Sequence, residues 1–169
     1  MGQRAPIAPA NATKADAAAL EPLLVQLLKL AAMISRPMED GVANPNGLSL
    51  NELRIMMCLH GEGACAGHDI TNLMAIPPMN VSRALASLTQ RGWIEPAVDP
   101  TNRRRRPVRL NDAGTRACLG MEGDIDKVAR DLLGMLNASE VDALKGSVDA
   151  VIGRLERWPD DHPRATPSD

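Results

Sequence analysis

The sequence predicts a mainly α-helical protein that carries one small β-hairpin. Apolar residues recur with the spacing of one helix face along most of the 169 residues. One short segment instead predicts two strands joined by turn-forming residues, with Trp93 and Ile94 before the turn and Val108 and Leu110 after it. Because Phe and Tyr are absent and Trp occurs twice, aliphatic residues and nine methionines must build the core.

The segment 77–92 predicts a short amphipathic helix. Val81, Leu85 and Leu88 recur at helical spacing, and the opposite side carries short hydrogen-bonding groups with one arginine. Two prolines at the start and Gly92 at the end suit helix boundaries. Such a polar face is typical of contacts with base edges and phosphates. The residues predicted to contact DNA from this helix are Met79, Asn80, Ser82, Arg83 and Ser87.

Positive charge concentrates in the same part of the chain. Residues 77–110 contain seven arginines and two acids, a balance of +5, whereas the whole chain carries −2. Such segregation predicts a surface that faces a polyanion, although an arginine run alone is often a solvated loop. The hairpin tip is predicted to enter the minor groove or straddle its phosphates through Arg103, Arg104, Arg105 and Arg106.

These features resemble the winged helix-turn-helix of the MarR (multiple antibiotic resistance regulator) family, over about residues 49–155. Two positions depart from the family pattern, since Asn102 stands where Asp is usual and Asn111 where Thr is usual. The resemblance implies a dimeric repressor that a small ligand releases from a pseudo-palindromic operator in double-stranded DNA. The matching residues are Asn80-Val81-Ser82-Arg83, Leu88, Arg91-Gly92-Trp93-Ile94, Asp99-Pro100, Asn102, Arg103-Arg104, Val108, Leu110 and Gly114.

The first predicted helix, residues 16–33, is apolar nearly all round, with Pro22 in its first turn. A helix of this kind must be buried on several sides, which a monomer this small hardly provides. We therefore expect a homodimer interface. The resemblance implies that the first helix pairs with the last, residues 137–157, across a two-fold axis.

Caps and breakers predict the remaining boundaries. Ser49 with Glu52, and Asn137 with Glu140, form predicted capping boxes. Asn111 caps a long helix that several glycines weaken, so that a bend is expected. Residues 38–47 are predicted to form a polar loop. The second and third helices are predicted to bury Leu53, Met56, Met57, Leu59, Ile70, Leu73 and Met74.

The chain is thus predicted to hold one folded domain between two unstructured ends. The predicted parts are a flexible arm (1–15), a helical dimerisation region (16–48 and 112–157), a winged helix-turn-helix DNA-binding region (49–111) and a disordered tail (158–169).

The resemblance also implies an effector pocket, where the first, second and fifth helices meet the DNA-binding region. Arg36 offers a bidentate partner for a carboxylate, and methionines adapt to an apolar ligand body. An aromatic carboxylate is therefore the effector hypothesis, with ordinary core packing of the methionines as the alternative. The residues assigned to this pocket are Met33, Arg36, Met38, Met56, Met57 and His60.

Cysteine chemistry offers a second trigger. Three cysteines at irregular spacing do not predict a disulfide framework. Cys65, in a loop near His68, is the best candidate for an accessible redox-sensing thiol, whereas Cys58 on an apolar helix face is expected to be inert. Cys65 with His60 and His68 matches no strong zinc signature, so no metal or other cofactor is expected.

Other classes of protein have weaker support. A winged helix that binds protein would need an apolar outer face on residues 77–90, and that face is polar. No Gly-rich phosphate loop or nucleophile elbow indicates an enzyme. No run of about 18 apolar residues and no signal peptide are evident, so a cytoplasmic protein without a membrane partner is expected.

Overall fold

The computed structural model of the chain describes residues 16–99, 102 and 105–158. The predicted class, mainly helical with a two-stranded antiparallel hairpin, is confirmed. The predicted arm lies outside the described residues, as does the predicted tail apart from Trp158. The elements are α1 (Ala17–Met33), α2 (Ser35–Met38), α3 (Leu50–Glu62), α4 (Gly67–Met74), α5 (Pro78–Gln90), β1 (Ile94–Pro96), β2 (Val108–Leu110), α6 (Asp112–Gly120), α7 (Glu122–Leu133) and α8 (Ala138–Glu156).

The chain divides into two units, Met1–Arg36 and Pro37–Asp169. In the first unit, the Asp16 carboxylate caps α1 by accepting from the Ala18 N–H at 3.3 Å. Every leucine of α1 is at least 38% exposed. Pro22 lies beyond the first turn of this helix, one turn later than predicted.

Residues 38–47 are helical rather than the polar loop that their Gly and Pro content predicts. A π-helical turn (Glu39–Ala43) and a 3₁₀ turn (Asn44–Asn46) follow α2 directly. Val42 is fully buried. The Asn46 amide donates to the Val42 carbonyl and to the Asp124 carboxylate of α7, both at 2.8 Å. The loop prediction was wrong because burial and these bonds stabilise helical turns that local composition disfavours.

The predicted caps are confirmed. The Ser49 hydroxyl accepts from the Glu52 N–H at 3.3 Å, and the Glu52 carboxylate accepts from the Ser49 N–H at 2.8 Å. Asn137 makes the equivalent box at α8, and the Asn111 side chain accepts from the Gly114 N–H at 2.9 Å. The helix that begins after Asn111 breaks at residue 121 into α6 and α7.

Helix α3 lies at the centre of the second unit and packs against α4, α5, α6 and β2. Leu53, Ile55 and Met56 are fully buried. Two predicted core residues are not buried, since Met57 is 40% exposed and Leu73 is 43% exposed. Because α3 also buries Glu52, Cys58 and Leu59, its buried side is centred away from Met57.

Candidate nucleic-acid interface

Helices α4 and α5 form a helix-turn-helix whose turn contains a strained residue. Ala75 adopts a left-handed conformation (φ 50°, ψ 38°), which costs a non-glycine residue about 1–2 kcal/mol. One hydrogen bond and the burial of the next residue hold it there. The Arg54 guanidinium donates to the Met74 carbonyl at 3.0 Å, and the next residue, Ile76, is 2% exposed. The turn therefore fixes the direction in which α5 leaves α4.

Helix α5 separates an inner apolar face from an outer polar face. Val81, Ala84 and Leu88 are buried against the core. On the outer side Met79 is 67% exposed, and Ser82 and Arg83 are exposed. The predicted contact residue Asn80 is half-buried. The N-terminal half of α5 thus presents a polar surface with one large apolar side chain, a composition suited to reading a DNA groove.

Ser87, also predicted to contact DNA, has a partner inside the protein. Its hydroxyl donates to Glu52 Oε1 at 2.6 Å. The same carboxylate lies 3.3 Å from the Arg91 Nε, although Glu52 is only 6% exposed. A contact between Ser87 and phosphate would have to replace the Ser87–Glu52 bond. Sequence reasoning recognised Glu52 as a cap but missed this tertiary contact.

The charge of Glu52 is stabilised by its neighbours. Burial by itself would raise the pKa of this carboxyl group. Hydrogen bonds from Ser87 and Ser49, together with the positive charge of Arg91, outweigh that effect and hold the pKa of Glu52 below its ordinary value. Glu52 therefore joins the start of α3 to the end of α5 as an ionised group.

Arg91 lies at the junction between α5 and the hairpin. Its Nη2 donates to the Gly47 carbonyl at 2.6 Å, and its guanidinium lies 5.2 Å from the centre of the Trp93 ring. Gly92 follows with φ 68°, a conformation that ends the helix as predicted. Arg91 is therefore committed to contacts within the protein.

The hairpin is short and is attached to the rest of the unit at its base. Ile94 pairs with Leu110, and Pro96 pairs with Val108. Cys65, just before α4, exchanges two backbone hydrogen bonds with Val108, at 3.0 and 2.9 Å. Across the strands, Arg109 Nη2 lies 2.7 Å from Glu95 Oε1. This hairpin is the wing of the fold.

The four arginines of the wing tip are not equivalent. Arg103 and Arg104 lie outside the described residues. Arg106 is exposed. Arg105 is 37% exposed, and its guanidinium binds Asp69 of α4 and, at 3.2 Å, Asp99 of the wing. The sequence treated the four as one basic cluster, because nothing local distinguishes Arg105 from its neighbours.

The residues assigned to an effector pocket have differing environments. Met33 is 61% exposed in the first unit, which also contains Arg36. In the second unit, Met56 is fully buried, whereas Met57 and His60 are exposed; Met38 is half-buried. Their assignment to one ligand site stays a prediction.

Two concavities among the described residues lie elsewhere in the second unit, and neither includes the predicted pocket residues. One, of about 660 Å³, lies beside the wing and is lined by Glu95, Arg109, Leu110, Asn111, Asp112, Ala113 and Arg116. The other, of about 400 Å³, lies between α4 and α5 and is lined by Gly67, His68, Thr71, Asn72, Pro78, Val81, Ser82 and Leu85.

The cysteines lack the features of a reactive thiol. Cys58, Cys65 and Cys118 are all buried, so the expectation that Cys65 is an accessible loop thiol was wrong. Burial, together with the neighbouring Cys65, raises the pKa of Cys58 to about 11. Burial also raises the pKa of Cys65 and of Cys118. Within the described ranges, no group of three or more His, Cys, Asp or Glu side chains could hold a metal ion.

One helical stretch is apolar enough to bear on the expectation about membranes, but one such helix is weak evidence for a membrane span. Residues 18–46 contain an 18-residue window of mean hydropathy 1.5 with few charges, long and apolar enough to cross a bilayer by length and composition. A helix buried in a protein interface meets the same two criteria. Isolated polar residues interrupt the apolar run, so the stretch contains no uninterrupted apolar segment of 18 residues.

The helix-turn-helix, its polar outer face and the adjoining hairpin define a winged helix-turn-helix DNA-binding protein. Residues 48–105 match the model of the MarR family. An HTH-type transcriptional regulator of Mycobacterium bovis is 26% identical over 134 residues, which cover 78% of this chain and 92% of the relative. The chain is therefore similar to MarR-family and other HTH-type transcriptional regulators, and members of the MarR family are DNA-binding proteins rather than enzymes.

Solved structures share this fold. A cysteine-to-serine variant of MarR from E. coli, complexed with operator DNA, has a TM-score of 0.61 and 17% identity, covering 81% of this chain and 99% of that chain. BpsR of Bordetella bronchiseptica, whose DNA binding is regulated by 6-hydroxynicotinic acid, has a TM-score of 0.61 and 21% identity, covering 76% of this chain and 98% of that chain.

Proposed function

We propose that the protein is a cytoplasmic, homodimeric repressor that binds a pseudo-palindromic operator and is released from it by a small ligand. The observation that carries the proposal is the exposed polar face of α5, with Met79, Ser82 and Arg83 outward while the inner face is buried. In a dimer, two such helices would enter successive major grooves about 34–36 Å apart. Met79, Asn80 and Arg83 are the proposed base contacts.

The proposed dimer uses the apolar faces of α1 and α8. Helix α8 has no buried residue in the monomer, yet Val141, Leu144, Val148 and Ile152 form a stripe along it. Leu27 lies on α1. Burial of both faces in a second copy would remove this apolar surface from water. We expect Leu27→Glu or Val148→Glu to give monomers in sedimentation and to abolish operator binding, whereas Lys29→Glu, the charge control on α1, should leave the dimer intact.

The first experiment is binding to a labelled fragment from beside the protein's own gene, titrated with salt. Arg83→Gln should weaken specific binding about 5- to 150-fold and relax the preference at one base pair, because an arginine–guanine pair contributes about 1–3 kcal/mol. Arg130→Gln is the matched control, since Arg130 pairs with Asp126 on the surface of α7. Equal weakening of binding to all DNA sequences by Arg83→Gln would indicate that Arg83 contacts only phosphate. Absence of specific DNA binding by the parent protein would favour a protein partner.

An aromatic carboxylate is the proposed effector, with Arg36 as its partner. BpsR supports the class of ligand, because 6-hydroxynicotinic acid is an aromatic carboxylic acid that regulates its DNA binding. The proposed lining is Met33, Met38, Met56, Met57 and His60. Aromatic acids should release the fragment from the parent protein, and Arg36→Ala should raise the concentration required. Unchanged release from Arg36→Ala would remove Arg36 from the effector site.

The cysteine alternative is less favoured. Buried thiols with raised pKa values hold little thiolate, and the thiolate is the reactive form. Loss of operator binding on addition of peroxide, with no response to aromatic acids, would favour it instead.

A further inference from the structure

We propose that Arg105 is a positioning residue that braces the wing against α4, rather than one of the arginines that contact DNA. This inference rests on the proposed operator binding. It distinguishes Arg105 from the arginines beside it in the sequence. The geometry for the brace comes from two ion pairs, one made by each Nη atom of the Arg105 guanidinium.

The guanidinium of Arg105 bridges two structural elements. One Nη atom binds the Asp69 carboxylate, in the first turn of α4. The other lies 3.2 Å from Asp99 Oδ2, in the segment of the wing that follows β1. The Arg105 Nε is buried and has no hydrogen-bond partner in the described part of the chain. A side chain held on both sides and partly desolvated is poorly placed to reach phosphate.

The two carboxylates are themselves fixed. Asp69 Oδ2 accepts from the Ala66 N–H at 2.9 Å, and Asp69 Oδ1 lies 2.9 Å from His68 Nε2. Asp99 Oδ1 accepts from the Asn102 N–H at 3.1 Å. Burial alone would raise the pKa of Asp69, but its bonds from Ala66 and Arg105, the nearby imidazole of His68 and the positive charge of Arg105 outweigh that effect and lower the pKa. Asp69 is therefore an ionised partner at neutral pH.

The brace has a consequence for DNA recognition because α4 and α5 form one helix-turn-helix. The Cys65–Val108 bridge holds the stem of the wing beside the start of α4. Arg105 adds a second attachment, nearer the tip, to the same end of α4. Two attachments to α4 restrict the direction of the short hairpin more than one attachment does. Arg105 thus sets how far the wing tip stands from the recognition helix α5.

Removing the charge of Asp69 distinguishes a positioning role of Arg105 from a DNA contact, because the two roles predict different effects on operator affinity. Asp69→Asn removes a negative charge near a polyanion, so it should strengthen binding, or leave it unchanged, if Arg105 contacts phosphate directly. If Arg105 is a brace, Asp69→Asn should instead weaken operator binding about 2- to 10-fold, the equivalent of a partly buried ion pair. Arg105→Gln should weaken operator binding similarly. The double variant should bind the operator as well as the single variant with the lower affinity, because both substitutions break the same ion pair.

Salt dependence and hydrogen exchange complete the test. Arg106→Gln, the exposed neighbour and matched control, should lower the slope of log K against log salt by about 0.9, as for one lost phosphate contact. Arg105→Gln should leave that slope nearly unchanged. In the free protein, amides of residues 94–110 should exchange faster in Asp69→Asn and Arg105→Gln but not in Arg106→Gln.

The outcomes decide between the two roles. Stronger or unchanged binding by Asp69→Asn, or a slope lowered by Arg105→Gln as much as by Arg106→Gln, would overturn the brace. Unchanged exchange in both brace variants would overturn it as well. Faster exchange in both would support it even if no operator were found, a result that would defeat the proposed function alone.

Discussion

Replacing Glu52 with Gln tests the connection between the start of α3 and the recognition helix. Glu52 is 6% exposed and accepts hydrogen bonds from the Ser49 N–H (2.8 Å), the Ser49 hydroxyl (2.7 Å) and the Ser87 hydroxyl (2.6 Å). Gln keeps the shape but has one acceptor oxygen and no charge. Since hydrogen bonds to buried charged groups contribute about 1.5–3 kcal/mol, we expect a loss of about 2 kcal/mol in the free energy of unfolding.

Urea and thermal unfolding at fixed protein concentration measure this loss. For a chain of this size, 2 kcal/mol corresponds to a decrease of about 4–8 °C in Tm. Glu62→Gln is the matched control, because Glu62 is exposed at the end of the same helix, and its effect should stay within about 0.5 kcal/mol. Ser87→Ala combined with Glu52→Gln should show a coupling energy of about 0.5 kcal/mol or more. Additive effects, or equal effects of Glu52→Gln and Glu62→Gln, would refute the proposed network.

The pH dependence gives the same network a second signature. The pKa of Glu52 is lower in the folded protein than its ordinary value. Its stabilising contribution is therefore complete above the ordinary carboxyl pKa and disappears as pH falls through the folded value. We expect the stability difference between the parent and Glu52→Gln to be largest near neutral pH and to shrink in acid. A difference that grows in acid would contradict this assignment.

Three further predictions follow from burial and backbone geometry. Gly114→Ala should destabilise the fold by more than about 2 kcal/mol, because a Cβ would overlap the Trp93 carbonyl. Gly41→Ala, which meets only a Val128 methyl group, should cost less in the same urea titration. Ala75→Gly should raise Tm, since glycine relieves the left-handed strain at φ 50°; a lower Tm would indicate that this conformation is not strained. The three cysteines should react with iodoacetamide at neutral pH only as the protein unfolds, because burial raises their pKa values, and rapid alkylation of folded Cys65 would contradict its burial.

Local patterns were sufficient wherever one segment supplied all the partners of an interaction. The capping boxes at Ser49 and Asn137 involve residues three positions apart, so the sequence alone predicted them. The inner face of α5 could be predicted because Val81, Ala84 and Leu88 recur at helical spacing. Gly92 was recognisable as the end of α5 because a positive φ at that position is readily adopted only by glycine. The family resemblance extended these local predictions to the winged fold.

Only the tertiary structure decided features that join distant segments. In the sequence Arg105 cannot be distinguished from its neighbours, but in the structure it forms an ion pair with Asp69, 36 residues away. Ser87 likewise donates a hydrogen bond to Glu52, 35 residues away, which no local pattern predicts. Residues 38–47 look like a loop until packing buries Val42. Local spacing determines which face of a helix is apolar and where it ends. Which arginines are available to contact DNA depends on the ion pairs that they form within the protein, and those partners come together only on folding.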